Sequence, residues 1–346
     1  EIKNFYLYLI MKILVPSLIL LIPLGSFGKT QLKEIIDESQ GLNNPFGVSF
    51  DNQGNTYIAE YEGGRIFKLG KSGKLVQFSG DGNKGFAGDG KQVSHGVYNG
   101  MHNLAWSSDD VLYVSDTHNH LVRKIDLKTK LISTFAGIPN NKGFSGDGGT
   151  ATKAKLNTPI SISLTPDEKT MLISDISNLR IRAVDLESGI IRTVAGNGKR
   201  GKPTDNMPAI VQPLIGPRAA IMDNFGNLFI LERNGNALRV VRPNGKIYTL
   251  AGTGKRGNQD GPALKSTFNG PKHLCFDKKK NIIIADDKNH LIRLYNPITK
   301  SVSTILGGKA MPRTVLNHPH GVALAPDGGI WVCDSGNNRL LILRNH

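Results

Sequence analysis

The stretch Asp116-Thr117-His118-Asn119-His120-Leu121-Val122-Arg123 holds two histidines and an aspartate within five residues, and an arginine closes it. Imidazole and carboxylate at such spacing could ligate a metal, and the guanidinium could hold an anion. The alternative is that acid and arginine belong to a repeated turn. The rest of the chain decides the matter. Comparable acid-led segments recur with Glu60, Asp116, Asp175, Glu232, Asp286 and Asp334, at intervals of 48 to 59 residues. Seven residues after the acid stands Arg123, Arg182, Arg239 or Arg293 in four copies, and Phe67 or Leu341 in the other two. His120 aligns with Gly64, Leu179, Asn236, His290 and Asn338, a variety that suits a turn and not a ligand. The six acids are therefore expected to fix hairpins, accepting hydrogen bonds from turn backbone or the paired arginine. No metal is assigned to His118 and His120.

A second signal runs in phase. Leu42-Asn43-Asn44-Pro45, Leu156-Asn157-Thr158-Pro159, Phe268-Asn269-Gly270-Pro271 and Leu316-Asn317-His318-Pro319 share one pattern, which Tyr98–Met101 and Leu214–Pro217 keep in part. Each introduces a short apolar run, a Gly- or Asp-bearing turn, the acid-bearing run, and a last run such as "STFAG", "RTVAG" or "YTLAG". Six four-stranded units, none able to bury its faces alone, predict an all-β fold: a six-bladed β-propeller. The last unit ends after three strands, and "TQLKEIIDES" at residues 30–39 matches the missing fourth, so an N-terminal strand is expected to close the last blade.

On these residues the chain resembles the NHL-repeat family, named for the Asn-His-Leu present as Asn119-His120-Leu121 and Asn289-His290-Leu291. The resemblance spans about residues 30–346, and the loops "GFAGDG" and "GFSGDGG" are similar to those of secreted bacterial members. It implies a ligand site at the mouth of the central channel, where the residue after the turn proline enters. In blade order these residues are Phe46, His102, Ile160, Arg218, Lys272 and His320. The candidate ligand-binding set is His102, Arg218, Lys272 and His320, framed by Lys199, Arg200, Lys255 and Arg256 from the glycine-rich crossover loops "AGNGKRG" and "AGTGKRG". Their chemistry is attraction and hydrogen bonding to carboxylate, sulfate or phosphate.

Two enzymatic readings compete. The chain is similar in architecture to peptidyl-α-hydroxyglycine lyases, which hold zinc with histidines from three alternate blades. Here those blades supply His102, Arg218 and His320, and an arginine cannot ligate a metal. Gluconolactonase-type propellers hold a divalent cation with Glu, Asn and Asp, whereas no mouth position here is acidic and only Asp287 and Glu62 are near. No nucleophile elbow occurs. No catalytic residue and no cofactor is therefore expected, the alternative being a single channel-bound divalent cation in a metal-dependent propeller enzyme. A second alternative is an RNA-binding NHL propeller.

The formal net charge of +15 points to anionic partners. Lys128, Lys130 and Lys278-Lys279-Lys280 fall on the opposite face, so the excess is spread. Residues 1–28 read as upstream sequence plus a secretory signal: a start at Met11, the apolar run 13–24, and small residues before cleavage after Gly28. The propeller then occupies residues 29–346. Cys275 and Cys333 read as small core residues, with a disulfide left open. The expectation is a secreted or periplasmic monomer without a stable membrane span, acting as a ligand- or protein-binding module without catalysis of its own. Its partner is a protein or an anionic extracellular ligand. Nucleic acid is disfavoured because the basic loops lack an aromatic platform.

Overall fold

A computed structural model of the protein describes residues 31–344. Short β-branched and aromatic runs separated by Gly, Asn and Asp turns form six antiparallel sheets. Blade one comprises Pro45–Phe50, Thr56–Glu60, Ile66–Leu69 and Leu75–Ser79, and blade two Met101–Ser107, Val111–Asp116, Leu121–Asp126 and Ile132–Ala136. Blade three comprises Pro159–Leu164, Thr170–Asp175, Arg180–Asp185 and Ile191–Ala195. Blade four comprises Pro217–Met222, Leu228–Glu232, Ala237–Val241 and Lys246–Ala251, and blade five His273–Phe276, Ile282–Asp286, Leu291–Asn296 and Ser301–Leu306. Blade six has Pro319–Leu324, Ile330–Asp334 and Arg339–Arg344 from the C-terminal end, and its outer strand is Gln31–Ile36. The expected closure is present. Arg339 also reaches Glu34 of that strand at 2.9 Å. Blades four and five each gain a two-residue edge strand, Met207–Pro208 and Gly261–Pro262.

The first strand of each blade packs on those of both neighbours, first against last, which makes a closed ring. Apolar clusters lie in the seams: Ile36, Val48, Ile58, Trp331 and Cys333 between blades six and one, and Leu231, Phe268, Leu274 and Ile284 between blades four and five. Both cysteines are free, Cys333 within this core. Among the described residues no helix is long and apolar enough to cross a membrane. The proposed signal segment, 1–28, lies outside the described residues.

The six acids are buried, and each accepts the backbone N–H at the turn before its own blade: Asn43 to Glu60 at 2.6 Å, Asn99 to Asp116 at 2.8 Å, Asn157 to Asp175 at 2.7 Å. The others are Ile215 to Glu232 at 2.6 Å, Asn269 to Asp286 at 2.8 Å and Asn317 to Asp334 at 2.7 Å. The arginine seven residues on completes the pair, at 2.8 Å for Arg239–Glu232 and Arg293–Asp286 and at 3.4 and 3.5 Å for Arg123–Asp116 and Arg182–Asp175. Where Phe67 and Leu341 take the seventh place, an arginine from the fifth replaces it: Arg65 reaches Glu60 and Arg339 reaches Asp334, both at 2.7 Å. The pairing is therefore present in all six blades.

The same arginines anchor the crossover loops. Asp89 and Asp147, from "GFAGDG" and "GFSGDGG", meet Arg123 and Arg182 at 2.6 Å, and Asp260 meets Arg293 at the same distance. His120 sits in the left-handed region, φ 60°, as do all its counterparts. Its Nδ1 accepts from Thr158 N–H of the next turn at 3.1 Å, and His290 does the same for His318 at 3.0 Å. Removing the carboxylate while leaving its arginine buried is costly, about 3–5 kcal/mol. Glu232→Ala is expected to lose about that much in urea unfolding, whereas Glu62→Ala, an exposed acid paired only with Lys84, should leave the midpoint nearly unchanged.

Candidate functional site

Three tiers of side chains line the axis on the face carrying the acid-led turns. The residue after each turn proline forms the middle tier: Phe46, His102, Ile160, Arg218, Lys272 and His320. The residue after each repeat acid forms the rim: Tyr61, Thr117, Ile176, Arg233, Asp287 and Ser335. One residue deeper along the inner strands come Gly47, Asn103, Ser161, Ala219, His273 and Gly321. The small residues of that deepest tier let the inner strands close in. A Cβ on Gly47 would stand 2.8 Å from the Asn103 Cα, and one on Gly321 2.4 Å from the Phe46 carbonyl oxygen. Asn103 donates to His273 Nε2 across the axis at 3.1 Å, joining blades two and five. Asn103 also accepts from Ile162 N–H at 3.0 Å, and His273 Nδ1 donates to the Val322 carbonyl at 3.1 Å. The axis is thus bridged by a floor, and the mouth is a cup above it.

The cup has an aromatic half and a cationic half. Phe46 stacks on Tyr61 at 4.5 Å and on His320 at 3.8 Å between ring centroids. His102 stands edge-on to Phe46 at 5.2 Å and to Tyr61 at 4.8 Å, and Tyr61 shares a hydrogen bond of 3.2 Å with His118 Nε2. His118 and His120 therefore do not converge: one belongs to this stack, the other to the next blade's turn. His102 Nδ1 donates to the Gly100 carbonyl at 2.9 Å, with Thr117 Oγ1 3.0 Å away, and Thr117 in turn donates to the Pro159 carbonyl at 2.9 Å. Ser335 makes the matching link to the Pro45 carbonyl.

Arg218 is 2 % exposed, and among the described residues its one hydrogen bond runs from Nη2 to His320 Nε2. Among the described residues its Nε and Nη1 are buried without a partner. Lys272 is close by, with Nζ 3.6 Å from Asp287 Oδ2 and 5.7 Å from the centre of the Phe46 ring. Asp287 is the single buried acid of the cup and is shared with His318 Nδ1 at 3.0 Å. Arg218, Arg233 and Lys272 thus face one carboxylate. Burial, followed by the charge of Arg233, pushes Arg218 down to about 9. Burial and then Arg218 bring Lys272 down to about 7. Burial also holds His102 and His320 well below the usual imidazole range, helped by Arg218 and Lys272.

The residues expected from the sequence divide in two. His102, Arg218, Lys272 and His320 come together in the cup. Lys199, Arg200, Lys255 and Arg256 are exposed on loops leaving the outermost strands, where Arg200 pairs with Leu214 and Arg256 with Phe268. The additional cation whose charge bears on Arg218 is Arg233. Arg233, Asn103, His273 and the Phe46–Tyr61 stack lie outside the set expected from the sequence; the position after the repeat acid is the signal that points to Arg233. The Nε2 lone pair of His320 takes an N–H from Arg218, and among the described residues no three His, Cys, Asp or Glu side chains converge. On the opposite face a groove of about 810 Å³ between blades four and five is lined by Phe229, Leu250, Leu264, Phe276 and Tyr295.

A neutral His320 is required to accept from Arg218, so its lowered pKa stabilises the fold above the unfolded value and loses that contribution as pH falls below about 6.5. His320→Gln keeps an acceptor that does not titrate. Between about pH 7 and 5 the wild type should lose stability against this variant by up to about 1.4 kcal/mol per pH unit, read from urea midpoints.

The NHL repeat family model matches residues 316–343, within blade six. NHL repeat-containing protein 2 of Gallus gallus is 26% identical over 340 residues, covering 86% of this chain and 46% of the relative. The chain thus spans about half the length of that curated relative. An auxiliary nutrient binding protein from Bacteroides thetaiotaomicron superposes with a TM-score of 0.66 at 12% identity, covering 92% of this chain and 76% of the other. A catalytically inactive virginiamycin B lyase from Staphylococcus aureus, with quinupristin, gives 0.58 at 16% identity, covering 92% and 100%. At such identities the two structures share the fold alone.

Proposed function

We propose that this chain, an NHL-repeat six-bladed β-propeller, is an extracytoplasmic binding module that takes an anionic group of a ligand or partner protein into its channel mouth. The same fold serves a lyase and a nutrient-binding protein, so architecture does not choose between catalysis and binding. The side chains of the cup support binding. The observation that carries the proposal is Arg218: a buried guanidinium with Nε and Nη1 unpartnered, beside Lys272 and Arg233, against Asp287 alone. Buried cations without partners cost several kcal/mol each, and an entering carboxylate, sulfate or phosphate supplies the missing charge and acceptors. The aromatic half, Phe46 and Tyr61, offers a flat apolar wall to whatever carries the anion. The extracytoplasmic part of the proposal rests on the apolar run 13–24 and the small residues before position 29.

The competing reading is an enzyme with a channel-bound divalent cation. Elemental analysis of the purified protein, prepared without chelator or histidine tag, separates the two. The binding module should carry no stoichiometric zinc or calcium. Near-stoichiometric metal that is lost in His102→Ala or His320→Ala would replace it with the enzymatic reading. In thermal unfolding, acetate, sulfate or phosphate should raise the midpoint above that in chloride at equal ionic strength. Arg218→Leu should remove this response while leaving the unliganded protein as stable as the wild type or more so, since an apolar residue replaces an unpaired buried charge.

A further inference from the structure

The channel mouth does not account for the apolar groove between blades four and five on the opposite face. Its volume of about 810 Å³ falls in the range of small-ligand pockets, about 300–1,000 Å³. The seam lacks one ring that other seams have. In blades one and two the aromatic three places before the repeat acid packs on the next-to-last residue of the outer strand. Tyr57 meets Phe78 at 5.1 Å and Tyr113 meets Phe135 at 4.9 Å between ring centroids. Blade four has Phe229 and Leu250 in these places. Phe229 meets Phe276 of blade five instead, at 5.6 Å, and Leu250, Ile282 and Tyr295 continue the walls. Blade three, with Leu172 and Val194, opens on a smaller groove of about 540 Å³. The rim is tied to both sides: Ala263 accepts from Gly252 N–H, which follows blade four, and donates to the Lys300 carbonyl of blade five, both at 2.9 Å. Next to it Leu264 is 62 % exposed, and Phe225 from the first turn of blade four is 81 % exposed, so the lip is apolar as well.

Charge and backbone pairing say what such a groove would take. Arg242, Lys280 and Lys300 line it, all three are exposed, and among the described residues none of them forms an ion pair. The one lining acid, Asp223, spends its carboxylate on its own turn, accepting from Phe225 N–H at 2.9 Å, Asn227 N–H at 2.8 Å and Asn227 Nδ2 at 2.7 Å. The occupant is therefore apolar with an anionic end. A peptide strand would find no sheet edge here. The outer strand of blade four is already paired by Met207–Pro208 and that of blade five by Gly261–Pro262, so the amides of a peptide would enter the groove unpartnered, which is costly. An alkyl chain makes no such demand. We infer that the groove between blades four and five holds the alkyl chain of a fatty acid, with the carboxylate at the rim among Arg242, Lys280 and Lys300. This site is separate from the channel mouth and does not rest on the anion reading of that mouth. The chain lies along Phe229, Leu250, Phe276 and Tyr295, while the head stays in water, where exposed cations attract it without being desolvated.

The test is isothermal titration of the purified protein with laurate, kept below the concentration at which it forms micelles. Saturable binding of one laurate per chain is expected, and affinity should rise about fourfold for each methylene from octanoate to laurate. Dodecyltrimethylammonium, with the same tail and the opposite charge, should bind at least about tenfold more weakly. Removing the three exposed cations together (Arg242→Gln, Lys280→Gln and Lys300→Gln) should weaken laurate by about tenfold, since each exposed pair is worth up to about fivefold. Leu250→Phe supplies the ring that blades one and two carry and should also weaken laurate by filling the groove. Should that variant not fold, Leu264→Ser, at an exposed position, takes its place. Absence of saturable laurate binding overturns the inference, as does equal affinity for the cationic surfactant. Laurate binding that is lost in Arg218→Leu and kept in the Leu250 and Leu264 variants also overturns it, and assigns the carboxylate to the channel mouth. Flotation with phosphatidylglycerol vesicles in the absence of any laurate binding overturns it in favour of a membrane-contact face.

Discussion

A buried carboxylate in each blade is the interaction on which this propeller depends. A four-stranded sheet of this size has no core of its own and is held by what it shares with its neighbours. The repeat acid joins the turn entering the blade to the hairpin that follows, and its arginine extends the junction to the crossover loop through Asp89, Asp147 or Asp260. Charge, backbone and loop meet in one place. That explains why the arginine is present in all six blades even though its position in the chain shifts by two residues in blades one and six.

Because the acids hold the turns, the residues beside them are free to vary. The rim and middle tiers are filled by residues that differ from blade to blade, with aromatic rings and imidazoles from blades one, two and six and cations from blades four and five. The middle tier does not satisfy itself. Arg218 and Lys272 are buried beyond what Asp287 can balance, and both lie below their usual pKa values in consequence. The fold tolerates this because the seams carry the apolar burial. An unbalanced charge in a place the scaffold does not need is where a functional site is expected.

The floor gives the site a direction. Gly47 and Gly321 draw the strands together, and the Asn103–His273 bond crosses the axis beneath the cup. Burial of these side chains also raises the strength of each charge–charge contact among them.

By itself the sequence determined the fold. Period, turn residues and repeat acids are local signals, each repeated six times or nearly so, and repetition averages out the ambiguity of any one copy; the displaced outer strand occurs once and is legible by its likeness to the fourth strands of the other units. It also determined which residues enter the channel, since the position after the turn proline is set by local register. Tertiary structure alone decided how those residues meet. That Arg65 and Arg339 substitute for the missing seventh-place arginines depends on side-chain reach across a hairpin, which spacing does not encode. That Arg218 spends one donor on His320 and leaves two unpaired depends on blades four and six facing each other across a ring, about 100 residues apart in the chain. The basic loops show the same limit from the other side: Lys199, Arg200, Lys255 and Arg256 share a face with the mouth by sequence, but they leave from the outermost strands and stay in solvent. Charge is legible in a sequence; burial, which gives charge its chemical consequence, is made only when the ring closes.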